Sequence, residues 1–217
     1  MPKFWQDFNV LRKKRKERAG KFKFPESALA HAYLDGLDGI EIGGSAHNAF
    51  GLKTRNVDYT TDMNTSFKRA EIEMCGEAMP VDIVAPGDDL PFEDESVDFV
   101  LSSHVIEHFF DPIRALEEWL RVARKWVFII CPQRDALPSD VDQPLTPLDE
   151  LLARHSGEIA PQVHDTDEHL TRWTSAGFVA MCEARGWVVD FVQDPDDKVG
   201  NGFTVVIDAS KTRARRR

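Results

Sequence analysis

A parallel α/β sheet covered by helices on both faces is the fold class predicted for this 217-residue chain. Three observations lead to it. Seven short apolar runs alternate with segments carrying helix start and stop signals. One of them, Trp126 to Ile130, is apolar throughout, as expected of a strand covered on both faces. A glycine pair, Gly43-Gly44, directly follows the first run, where a strand turns and a ligand can approach the backbone closely.

The elements follow in order. Pro25 precedes a helix over 26–36 that Gly36 stops. Residues 37–42 read as a strand, and 54–59 (TRNVDY) as a second. About a dozen residues separate the two, too few for a full helix and two turns, so the first crossover is expected to be abbreviated. A helix over 66–78 and a third strand over 81–84 come next. Val97 to Leu101 reads as a buried strand. Asp111-Pro112 then opens a helix to about Val122, the acid as cap and the proline in the first turn. Residues 132–170 carry five prolines and one predicted helix, near 147–155. A connection this long is expected to be a lid or binding loop. A helix over 174–185, capped by Thr174 and stopped by Gly186, leads to final strands near 187–192 and 202–208. No repeat and no second domain is evident. The expected organisation is a basic extension over 1–25, one domain over 26–210, and a basic tail over 211–217.

Charge is unevenly placed. The net value is -10, but residues 1–23 hold nine Lys/Arg against two acids, and the last seven residues hold five Lys/Arg and no acid. The body between them carries 13 basic and 35 acidic residues, which argues against a broad nucleic-acid groove. The ends leave contact with RNA, a membrane surface or the acidic body itself open. Three scattered cysteines, with no CxxC pair, fit a reducing compartment. No apolar run reaches the length of a membrane span, and the start lacks the apolar stretch of a signal peptide, so a cytoplasmic location is expected.

The acids in the first half are specifically placed. Glu41 sits inside an apolar strand just before the glycine turn, where a phosphate would be repelled and a cationic amine or sulfonium welcomed. A buried acid tied to local backbone is the other reading. Asp58 ends the second strand, where an acid can accept both hydroxyls of a ribose. The segment from Val81 runs through Asp88-Asp89-Leu90-Pro91-Phe92-Glu93-Asp94-Glu95-Ser96-Val97-Asp98 to His104-Val105-Ile106-Glu107-His108.

With its glycine turn, its acid after the second strand and its DLPF and HVxEH motifs, this stretch closely resembles the class I S-adenosylmethionine-dependent methyltransferases (type 11-like). The resemblance runs from about residue 37 to 131 and loosely on to 208. It implies a Rossmann-like, mostly parallel seven-stranded sheet with an antiparallel C-terminal strand, and S-adenosylmethionine as cofactor with S-adenosylhomocysteine released. It implies Glu41 near the methionine end, Gly43 and Gly44 beneath the cofactor, and Asp58 on the ribose. Asp88, Asp89 and Leu90 would lie at the adenine, and His104 would form a pocket wall. Two features depart from the family: GGSAHNAFG lacks an obvious third glycine, and Pro86 stands where an acid often meets the adenine amino group. AHNAFGL, NVDYT and the TPLDELL segment look like a subgroup associated with glycan or small-molecule modification.

For the acceptor side, histidine is the economical base near neutral pH. His108, His164 and His169 fall in loops near the carboxyl edge of the sheet and are the candidate catalytic residues. His47 and Asn48 are candidates for the methionine carboxylate or the acceptor, and Arg134 and Arg172 for an acidic substrate. His104 and His108 would share a face if their segment were helical, a spacing that suits a metal pair. No HExxH order or third ligand is evident, so no metal is expected. No NPPY or DPPY tetrad of base amino-group methylation is present. The expected acceptor is an oxygen of a small molecule or glycan. RNA, protein or lipid methylation, and a non-catalytic cofactor-binding partner protein, are the alternatives. Nucleic acid is not the expected partner, and the sequence leaves monomer and homodimer open.

Overall fold

The computed structural model describes residues 21–136, 140–161 and 168–216. His164 and the basic segment over 1–20 lie outside the described residues.

The chain builds a seven-stranded sheet in the order β3-β2-β1-β4-β5-β7-β6. Helix α1 (Ala28–Leu34) starts where the Ser27 hydroxyl accepts the Ala30 N–H, and it leads into β1 (Gly39–Ile42). β1 pairs in parallel with β2 (Thr54–Asp58) on one side and β4 (Val97–Ser103) on the other. The connection from β1 to β2 holds only a three-residue 3-10 turn, Ala46–Asn48, so the first crossover is abbreviated as expected. Helix α2 (Ser66–Cys75), capped by the Thr65 hydroxyl, returns the chain to the two-residue edge strand β3 (Ile83–Val84). The chain then crosses to β4. The sheet order therefore reverses between β1 and β4, and such a switch point opens a crevice at the strands' carboxyl ends.

Asp111 caps α3 (Pro112–Val122) by accepting the Arg114 N–H at 3.0 Å, with Pro112 in the first turn. β5 (Ala123–Pro132) follows without a loop. Helices α4 (Leu148–Ser156) and α5 (Ser175–Ala184), the latter capped by Thr174, precede β6 (Val189–Gln193) and β7 (Gly202–Asp208). β7 inserts between β5 and β6 and runs antiparallel to both.

The apolar strands feed two cores by simple alternation. In β4 and β5, Val100, Val127 and Ile129 face the core holding Trp119 of α3 and Phe178 of α5. Phe99, Leu101, Phe128 and Ile130 face the other, with Phe50 and α1 residues Ala30 and Leu34. A run with no polar face thus still has two faces, each covered.

Two segments pack onto the domain. Residues 209–216, placed partly in the domain and partly in a basic tail, form helix α6 (Ala209–Arg216). Arg213 anchors it by donating to the carbonyls of Leu120, Ala123 and Arg124, which end α3 and start β5. The described parts of 132–170 are docked: Leu151 of α4 enters the core, and Arg154 donates to the Leu170 carbonyl. Among the described residues, no helix is long and apolar enough to cross a membrane.

Candidate active site

One cavity of about 720 Å³ lies at the switch point. Glu41, Gly43, Gly44, Asp58, Asp88 and His104 all line it, as do His108 and His169.

The glycine turn makes its floor. Gly43 has φ +66°, and its N–H donates to the Val57 carbonyl at 2.8 Å. A Cβ there would stand 2.7 Å from the Val105 side chain. A Cβ on Gly44 would meet Met79, Asn56 and the Glu41 carboxyl at 2.7–3.0 Å. Gly43→Ala is therefore expected to destabilise the fold by about 1–2 kcal/mol from its left-handed backbone, before the Val105 clash adds to it. A thermal melt and a cofactor titration should both register the loss.

Glu41 is buried, with Thr54 Oγ1 donating to it at 3.3 Å, and burial pushes its carboxyl up to about 7. Asp58 faces the cavity with Lys68 Nζ 3.8 Å away. Burial raises the Asp58 carboxyl, and the lysine opposes this.

Lys68 and Glu71 were not anticipated. They sit one turn apart on α2, both buried, and pair at 3.1 Å. Glu71 accepts the backbone N–H groups of Ala46 and Met79, so this helix takes over the support that a full first crossover helix would provide. The i,i+3 opposite charges were visible in the sequence, but the pattern is equally that of an exposed helix face. Phe24 also lines the cavity, because the Phe24 N–H to His47 carbonyl bond docks the N-terminal strip over it.

At the adenine-side segment the expectation needs correction. Asp88 lines the cavity and pairs with Arg114 at 3.4 Å. Asp89 and Leu90 are not among the lining residues. The Asp89 N–H closes a turn onto the Pro86 carbonyl. Leu90 packs into the core, with its N–H held by Glu118 at 2.8 Å. Trp119 Nε1 fixes the Gly87 carbonyl at 2.7 Å, which sets the turn's orientation.

The cavity lining also gathers histidines. His104 and His108 do not share a helical face: His104 has φ +56°, and Ile106–His108 is a 3-10 turn. A non-glycine residue in that region is strained, and such residues cluster at functional sites. Burial pulls the His104 imidazole down to about 4, so it is neutral. Glu107 is buried between these histidines, and burial pushes its carboxyl up to about 8. His169 reaches the same point from beyond α4, with its Nε2 3.8 Å from Glu107 Oε1. Its Nδ1 bonds Asp140 at 2.6 Å, and burial lowers its imidazole. Asn48 Nδ2 donates to Ser103 Oγ at 3.0 Å on the same wall, and His47 also lines the cavity. The two arginines considered for an acidic substrate are engaged elsewhere. Arg172 holds Asp140 at 2.9 Å, and Arg134 pairs with Asp135 at 3.1 Å. Neither lines the cavity.

A sheet with this switch point and glycine turn has the Rossmann-like architecture that binds ligands at the strands' carboxyl ends. Residues 42–131 match the family model described as a methyltransferase domain. Over this stretch the chain is similar to the S-adenosylmethionine-dependent methyltransferases, enzymes that transfer the cofactor's methyl group and release S-adenosylhomocysteine. Among solved structures, an S-adenosylmethionine-dependent methyltransferase from Methanosarcina mazei is 14% identical. The alignment covers 83% of this chain and 96% of that one, with a TM-score of 0.51. One from Aquifex aeolicus is 17% identical over 91% of this chain and 88% of that one, with a TM-score of 0.46. At 14% identity the likeness to the Methanosarcina mazei structure is one of fold. No curated protein matches the chain.

Proposed function

We propose that this enzyme methylates an oxygen of a small hydroxylated molecule or sugar. The observation that carries the reading is the lining of the cavity. Acids Glu41 and Asp58 line it with the glycine turn, and Glu107, His108 and His169 line it as a cluster of their own. A volume of about 720 Å³ lies within the usual range for small-molecule sites.

In this reading Glu41 faces the cationic methionine end of the cofactor, Gly43 and Gly44 pass beneath it, and Asp58 accepts the ribose hydroxyls. Asp88 and the Gly87 backbone stand in for the family's adenine acid. His104 is a wall of the pocket. From the described parts of 132–170, His169 reaches the cavity and would meet the acceptor.

The chemistry asked of the protein is alignment plus removal of one proton. With Nδ1 committed to Asp140, the neutral His169 ring presents the Nε2 lone pair to the cavity. The acceptor hydroxyl gives its proton to Nε2. Bound S-adenosylmethionine would supply the methyl group that this oxygen takes, with the carbon–sulfur electron pair kept by sulfur.

The test is a screen of hydroxylated small molecules and sugars, with mass detection of one added methyl and of S-adenosylhomocysteine. Transfer to a hydroxyl is expected, and transfer confined to amines would overturn the oxygen assignment. His169→Ala should lower turnover by about 10²–10⁴-fold while cofactor affinity changes little. Unaltered turnover would remove His169 from the reaction.

A further inference from the structure

The Glu107 carboxylate is 1% exposed, and neither oxygen has a hydrogen-bond partner among the described residues. Buried acids are ordinarily paired or hydrogen-bonded. Three imidazole nitrogens face Oε1 instead: His104 Nδ1 and His108 Nε2 at 3.9 Å, and His169 Nε2 at 3.8 Å. These separations are too long for hydrogen bonds, whichever group carries the proton.

They are close to what a shared ion requires. The ligand atoms of Glu107, His108 and His169 all lie within 4.8 Å of one another. Ligands bound to one ion at about 2.0–2.2 Å sit roughly 3.0–3.5 Å apart, so each side chain has only a fraction of an ångström to about one to move.

The shell behind the ligands points the same way. His108 Nδ1 bonds the Glu168 carbonyl at 2.9 Å. A carbonyl only accepts, so Nδ1 carries the hydrogen, and in the neutral ring Nε2 keeps its lone pair. His169 Nδ1 bonds Asp140 at 2.6 Å, and Asp140 is buried and clamped by Arg172 at 2.9 Å. A carboxylate or carbonyl behind each ring is how proteins orient metal-binding histidines.

We propose that Glu107, His108 and His169 form a site for a divalent first-row transition ion, and that the ion holds the acceptor through two adjacent oxygens. This rests on the reading that this cluster receives the acceptor. Two imidazoles and one carboxylate suit zinc, iron, manganese or cobalt better than magnesium or calcium, which prefer oxygen ligands. Three protein ligands leave coordination positions open on the cavity side, enough for a vicinal diol or a hydroxy acid. A hydroxyl on the ion ionises more readily and releases its proton to solvent. One lone pair serves one role, so in the loaded enzyme His169 Nε2 ligates and does not take the proton.

The experiment uses the full chain, stripped with a chelator and titrated with Co²⁺. One equivalent is expected to bind with ligand-field absorption bands that shift when a vicinal diol is added, and Zn²⁺ should displace it. Glu107→Gln, which keeps the shape, and His169→Ala should each weaken Co²⁺ binding at least tenfold, with circular dichroism confirming the fold. Asp140→Asn tests a positioning residue and should weaken binding by about 10–100-fold. No stoichiometric uptake by the parent protein, or uptake undiminished in both Glu107→Gln and His169→Ala, overturns the site. The outcomes separate from those of the preceding reading. Hydroxyl methylation that persists in chelator removes the ion and leaves the oxygen acceptor. Co²⁺ binding with transfer only to amines keeps the site, while unshifted bands with a diol remove its acceptor role.

Discussion

Replacing Asp58 by alanine is expected to weaken S-adenosylmethionine binding by about 10–100-fold, the range for losing hydrogen bonds to a charged group. Asp58 ends β2 beside the switch point and lines the cavity, so its carboxylate faces where the ribose lies in the proposed pose. Burial disfavours its charge, and Lys68 at 3.8 Å offsets that penalty. The variant should keep its fold, because Lys68 retains Glu71 at 3.1 Å and the Gly44 and Met79 carbonyls. Calorimetric titration checks the affinity. Saturating cofactor should restore most of the turnover, because the lost bonds are remote from the acceptor. An affinity within twofold of the parent would place the ribose elsewhere.

The second large effect is a pH dependence at Glu41. Burial raises this carboxyl to about 7, above its ordinary 4.5. A cationic cofactor binds the ionised form better, so affinity should rise by about tenfold between pH 6 and pH 8 through this group. The cofactor-free protein should show the opposite sign. Between pH 4.5 and 7 the folded state holds a proton at Glu41 that the unfolded chain has released. The stability contribution is therefore full below about 4.5 and lost as pH rises through about 7. Glu41→Gln should flatten both profiles. The difference between variant and parent isolates Glu41 from Glu107, which burial shifts in the same direction. An affinity profile that keeps its slope in Glu41→Gln would sink the assignment.

Much of the cofactor half was legible because its signals are local. The Gly43-Gly44 turn, the acid ending β2 and the Asp111 and Thr174 caps depend on neighbours within a few residues. The short first crossover followed from chain length alone. The adenine segment was less legible: Asp89 and Leu90 fit the motif, yet Leu90 is claimed by the core and by Glu118. The six-residue difference between a basic tail and α6 was missed because its helix rests on Arg213 capturing carbonyls far back in the chain.

The sequence by itself determined the sheet, its glycine turn and the acids placed at its strand ends, since periodicity and turn chemistry act over short spans. Only the tertiary structure decided the cluster of Glu107, His108 and His169. His108 and Glu107 lie together in a 3-10 turn, but the third group, His169, arrives from beyond α4, positioned by Asp140 and Arg172. Likewise Lys68 and Glu71 look like an exposed helix pair until the missing crossover helix lets α2 close over the glycine turn. Burial turned those common residues into a site, and burial is a property of packing that no local spacing carries.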